Sequence, residues 1–124
     1  MGVVVRGSFK NTDRFFKRAT DGSFYRRLER YAKEGVAALS AATPTDTGLT
    51  ANSWDYEITR TSDRIVISWT NSNVVNGWAN VAILIQYGHG TRNGGYVEGI
   101  DYINPAMRPI FEKLADAIWE EVKQ

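Results

Sequence analysis

Three groups of residues in this sequence are of types that do chemistry. The first is Asp46-Thr47-Gly48. Asp-Thr-Gly carries the catalytic carboxylate of aspartic proteases, and a small homodimer can share one such carboxylate from each subunit in a dyad. The surroundings argue against a hydrolase. That triplet leaves an apolar strand and is followed by Ala or Ser, whereas here it leaves an alanine-rich stretch and precedes Leu49-Thr50-Ala51-Asn52. The alternative is structural: Asp46 and Thr47 cap or turn the backbone, and Gly48 takes a positive-φ position after a helix.

The second group surrounds the single histidine, in Gly88-His89-Gly90-Thr91-Arg92-Asn93-Gly94-Gly95. Glycine amides with Arg and Thr nearby are the ingredients of an anion cradle. Walker spacing is missing, no Lys-Ser/Thr follows, and no Gly-x-Ser-x-Gly elbow gives His89 a serine partner. The stretch reads as a hairpin ordered by a partner rather than as a catalytic loop. The third group is Arg26, Arg27, Arg30 and Lys33 on one helix, a stripe able to meet phosphates. It lacks interleaved aromatics on its own face, so a solvated or subunit-facing surface suits it better.

Composition narrows the field further. The 124 residues hold no cysteine and one histidine, which excludes disulfide frameworks, thiolate metal sites, cysteine nucleophiles and any site needing two imidazoles. No cofactor motif and no carboxylate cluster with calcium or magnesium spacing is present. With 43% apolar and 23% charged residues the chain fits one globular domain. Its net charge of +1 is the sum of unlike parts. Residues 1–40 hold nine Lys/Arg and four acids, whereas residues 41–124 hold six and ten. Opposed charge of this kind suits a subunit that meets charged neighbours. The longest apolar run, Val81-Ala82-Ile83-Leu84-Ile85, is far short of a membrane span, and no signal-peptide core is visible, so a cytoplasmic site of synthesis is expected.

The elements that must position these groups are mostly legible. Val3 to Phe9 is β-branched and predicts a short strand, and Asn11-Thr12-Asp13 offers caps for a short helix. After Asp21-Gly22-Ser23, which supplies a new cap, Phe24, Leu28, Tyr31, Ala32, Gly35 and Leu39 recur at helical spacing until Pro44 stops the helix. Trp54, Tyr56 and Ile58, then Ile65, Ile67 and Trp69, alternate as a hairpin about Thr61-Ser62-Asp63. Residues 71–77 read as polar loop. Segment 78–87 fits a helix or a strand, with a lean to a helical turn. The five glycines from Gly88 to Gly99 preclude a long regular element. A terminal helix presents Met107, Ile110, Phe111, Leu114, Ala115, Ile118 and Val122 on one face. Asn104-Pro105 looks like its cap, and Pro109 shifts the expected regular start to near Arg108. The expected class is α+β, two long helices packed on a small antiparallel sheet.

Three segments then occur in order: Ala41-Ala42-Thr43-Pro44-Thr45-Asp46-Thr47-Gly48, with Ser53 shortly after; Ile85-Gln86-Tyr87-Gly88-His89-Gly90-Thr91; and Asp101-Tyr102-Ile103-Asn104-Pro105-Ala106. Together they resemble the small tail-completion or head–tail joining ("neck") proteins of long-tailed bacteriophages and prophages. The resemblance covers residues from about 24 to 120. Gln86 stands where that family usually has Glu, and Leu49 follows Gly48 directly where a polar residue commonly intervenes.

The resemblance implies a structural virion protein without catalytic activity or cofactor. It implies a ring of identical subunits, a hexamer being favoured, that joins other neck and tail proteins with DNA at most passing through the lumen. Expected contacts to neighbouring subunits or partners are Asp46, Thr47, Gly48, Tyr87, Gly88, His89, Gly90, Thr91, Arg92, Tyr96 and Tyr102. The residues alone also leave open a DNA-contacting connector that uses the Arg26–Lys33 face, and a dimeric hydrolase at Asp46.

Overall fold

A computed structural model of the chain describes residues 2–6, 22–44, 48–60, 64–75, 77, 79–91 and 93–122. The short helix expected after Asn11, the hairpin turn at 61–63, and Asp46, Thr47 and Arg92 lie outside the described residues. The class is α+β, as the alternating periods predict.

Strand β1 (Gly2–Arg6) opens the chain and helix α1 (Ser23–Ala42) follows. The N-cap of α1 is Gly22 at φ 79°, with no side-chain cap, so the expected Asp-Gly-Ser cap resolves to a backbone turn that glycine adopts without strain. Phe24, Leu28, Ala32, Gly35 and Leu39 are the buried residues of α1, as the spacing predicts. Pro44 ends the helix through the residue before it. Thr43 is forced to an extended ψ of 132°, and its backbone N–H and hydroxyl both donate to the Leu39 carbonyl, at 3.0 and 2.6 Å. The Trp54 indole then donates to the Thr43 hydroxyl at 3.0 Å, tying the end of α1 to the start of the next strand.

Gly48 is not a positive-φ residue. It begins a helical turn, α2 (Gly48–Ala51), because its carbonyl accepts the Asn52 N–H at 3.1 Å and so needs helical geometry. Strands β2 (Trp54–Arg60) and β3 (Arg64–Asn71) form the expected hairpin, with Tyr56 opposite Trp69 and Ile58 opposite Ile67. β1 pairs antiparallel to the other side of β3, giving the order β1-β3-β2. Within the expected loop 71–77 lies β4 (Val74–Val75), which pairs with β5 (Ala79–Asn80) in the segment 78–87. From Val81 that ambiguous segment resolves as helix α3 (Val81–Tyr87), in line with the lean to a helical turn, while residue 78 lies outside the described residues.

The last helix, α4 (Ile103–Val122), starts five residues before Arg108 and carries Pro109 inside it. The Asn104 cap and late start are therefore corrected. The reason is tertiary: a side chain from α3 satisfies the first amides of α4, as described below. Pro109 is exposed and forfeits only the bond to the Pro105 carbonyl.

α1 and α4 pack on each other and on the sheet around one core that includes Leu28, Leu39, Ile65, Ile67, Trp69, Met107 and Leu114. Gly35 makes the closest approach possible. A Cβ there would lie 2.5 Å from Trp69 Nε1, which instead donates to the Ala32 carbonyl at 2.9 Å. Phe111 meets the Trp69 ring edge-on with centroids 6.0 Å apart.

Candidate functional site

Two helix termini and a glycine hairpin converge around Gln86. Its side chain is 6% exposed, deep for a neutral polar group, and every polar atom of it is used. Oε1 accepts the N–H of Tyr102 at 3.0 Å and of Ile103 at 2.9 Å. Nε2 donates to Asp101 Oδ1 at 2.7 Å, and the same carboxylate oxygen accepts Asn104 Nδ2 at 3.0 Å. A helix N-terminus leaves its first amides without partners inside the helix. Here the partner is a residue 16 and 17 positions earlier in the chain.

Tyr102 adds a second link between the same elements. Its hydroxyl donates to the Ala82 carbonyl at 2.8 Å, and its side chain is buried. Burial pushes the phenol from its ordinary 10.0 up to about 12, against a smaller opposing effect of the Thr43 hydroxyl. Tyr102 thus belongs to the core of the described structure, and its expected place on a contact surface is corrected: the buried hydroxyl finds an internal acceptor in the Ala82 carbonyl of α3.

A parallel polar cluster holds the turn that follows the Asp-Thr-Gly triplet. Asn71 is buried at the end of β3; its Nδ2 donates to the Thr50 carbonyl at 2.8 Å and its Oδ1 accepts the Asn73 N–H at 2.9 Å. Asn73 Nδ2 donates to the buried Thr50 hydroxyl at 2.8 Å. Asn80, the N-cap of α3, donates to the Asn71 carbonyl at 2.9 Å and accepts the Ile83 N–H at 3.4 Å. The sequence reading missed Asn71, Asn73 and Asn80. Four asparagines within the ten residues 71–80, beside a predicted strand end, were the available signal, since such side chains bond backbone outside regular elements.

The glycine stretch is a short antiparallel hairpin, β6 (Gly88–Gly90) with β7 (Tyr96–Glu98). Gly88 ends α3 at φ 80°, and a Cβ there would meet the Val97 carbonyl at 2.5 Å and the Tyr96 hydroxyl at 2.6 Å. Thr91 closes the turn, its hydroxyl accepting the Gly95 N–H at 2.9 Å. Tyr96 donates its hydroxyl to the Tyr87 carbonyl at 3.0 Å while its ring stays 67% exposed. Tyr87 is equally exposed, and Val97 and Ile100 are exposed beside them. His89 is half-buried, and its Nδ1 is enclosed without a hydrogen-bond partner among the described residues.

The structure therefore brings Tyr87, Gly88, His89, Gly90, Thr91 and Tyr96 together as one projection. Gly48 stands apart from them on α2, beside the exposed Leu49. On α1, Arg26, Arg30 and Lys33 are exposed, whereas Arg27 is half-buried. The Arg30 guanidinium lies 5.2 Å from the Tyr31 ring centroid, an aromatic neighbour that the sequence reading did not assign to this face. No protein-family model, curated protein or solved structure matches the chain. Among the described residues no helix is long and apolar enough to cross a membrane.

Proposed function

We propose that this chain is a structural subunit of a tailed bacteriophage, joining or completing the head-proximal end of the tail as a ring of identical copies. The observation that carries the reading is the Gln86 bridge. Two of the three segments that resemble neck proteins, residues 85–91 and 101–106, meet through it in one unit, with the hairpin projecting from that unit. Residues that recur together for architectural reasons should touch, and these do.

The exposed hairpin supports an assembly role over catalysis. It offers apolar and aromatic surface on a short two-stranded ribbon, which has little stability by itself and gains it by packing against something else. In this reading residues 88–99 lie at or beside contacts with neighbouring copies, as do residues 46–48. Disruption of the gene in the phage or prophage that carries it is the direct test. Filled heads and finished tails that fail to join support the proposal; normal infectious particles refute it.

A second reading is favoured by the exposed cations of α1, which could contact DNA. It predicts binding by the purified protein that falls steeply with salt. Absence of binding at low salt removes it.

A further inference from the structure

We infer that the β6–β7 hairpin of one copy docks on the exposed stripe of helix α1 of the next copy, with Glu98 facing Arg30 and Lys33 and the Tyr96 ring lying over Ala37. The inference rests on the reading of the chain as a self-assembling subunit and names the two surfaces that meet.

The first observation is the composition of the α1 stripe. Its exposed residues run Ser23, Arg26, Arg30, Lys33, Ala37 and Ala41 down one side. The first half is cationic and the second half is bare alanine. Arg26 and Arg30 stand one turn apart, as like charges that repel along an isolated helix. A surface that relieves this must bring negative charge to one half and apolar contact to the other. A phosphate backbone does only the first.

The second observation is the face of the hairpin. Tyr96 and Glu98 are two residues apart on β7 and so point to the same side. The residues opposite them are Gly90 and Gly88, which have no side chains to cover that side. The face is therefore flat, with an aromatic ring pinned by its hydroxyl bond to Tyr87 and an exposed carboxylate beside it. Between Arg92 and Arg108 the sequence holds Glu98 and Asp101 and no Lys or Arg. An acidic and aromatic face meets a cationic and alanine face with charges complementary, and the ring also offers its π-face to a guanidinium.

The spacings agree. Alternate residues of a strand are about 7 Å apart. One turn of helix, Lys33 to Ala37, rises about 6 Å. The two surfaces belong to different parts of the subunit, α1 packing with α4 and the sheet while the hairpin packs chiefly with α3. Such a contact is heterologous and propagates to a further copy, which is what a ring requires.

The test is self-association of the full chain by sedimentation, with Glu98→Lys and the double change Arg30→Glu/Lys33→Glu made separately. These positions are exposed, so the fold should persist, and circular dichroism checks it. Wild type is expected to associate, and each variant to associate at least about tenfold more weakly. Mixing the two variants in equal amounts is expected to restore association, because the altered charges again face opposite ones. Wild type that stays monomeric to its solubility limit overturns the inference. So do variants that associate like wild type, or a mixture that restores nothing. The neck reading survives any of these results if the protein is still found at head–tail junctions.

Discussion

Gln86 and Asp101 share one short hydrogen bond, Nε2 to Oδ1 at 2.7 Å, and that bond explains why an amide rather than a carboxylate fits at position 86. The Gln86 oxygen serves the α4 amides and its nitrogen serves Asp101. A Glu there would offer a stronger acceptor to a helix N-terminus, but would set its charge against Asp101.

Gln86→Ala leaves two amides of Tyr102 and Ile103 without their acceptor, and is expected to cost about 2–4 kcal/mol in urea unfolding. Gln86→Glu should also destabilise at neutral pH. Adding Asp101→Asn should recover that loss, since the new amide can donate to the new carboxylate. Equal stability of Gln86→Glu alone and wild type would contradict the bridge.

Gly35→Ala tests the contact of α1 with the sheet. The added methyl falls 2.5 Å from Trp69 Nε1 and displaces the indole from the Ala32 carbonyl. Overpacking plus a lost buried hydrogen bond costs about 2–4 kcal/mol. Thermal unfolding and the Trp69 environment in fluorescence should both change, whereas Ala37→Gly on the exposed side should cost only about 1 kcal/mol.

Asn71→Ala removes a donor to the Thr50 carbonyl and an acceptor for the Asn73 amide. An expected loss of about 1–2 kcal/mol follows, because the half-buried Asn73 amide loses its acceptor while the Thr50 carbonyl keeps only the Ser53 N–H at 3.1 Å. Hydrogen exchange should speed at residues 49–53 and 72–74 while the β2–β3 amides stay protected.

Tyr102 predicts an alkaline transition. Its folded pKa is raised above the unfolded value of 10.0, to about 12, so the stability it confers is fully present below pH 10. That stability is lost as pH rises from about 10 to 12, because the unfolded chain ionises first. Tyr102→Phe keeps the burial and loses the bond to Ala82, so it should be less stable at pH 7. Its stability should then fall less than that of wild type between pH 9 and 11.

Local pattern was enough for the parts of the fold that local pattern controls. The Phe24–Leu39 face, the Trp54–Trp69 alternation and the Pro44 stop all depend on neighbours within a turn or a strand. The start of α4 did not, because its cap comes from Gln86 on another helix. Gly48 misled for a similar reason: glycine after a helix suggests a left-handed cap, yet here it opens a new turn held by Asn71 and Asn73 through Thr50. At the site, Tyr87 and Tyr96, expected at contacts through the resemblance, are both exposed. Tyr102 has the same side chain and lies inside, a distinction set by whether the hydroxyl finds an acceptor within the fold.

Labelling this protein in intact phage particles and imaging them tests the central proposal most directly. Label is expected at the junction of head and tail, in one band and in several copies per particle. Label spread along the tail tube or over the capsid, or its absence from finished particles, would contradict it.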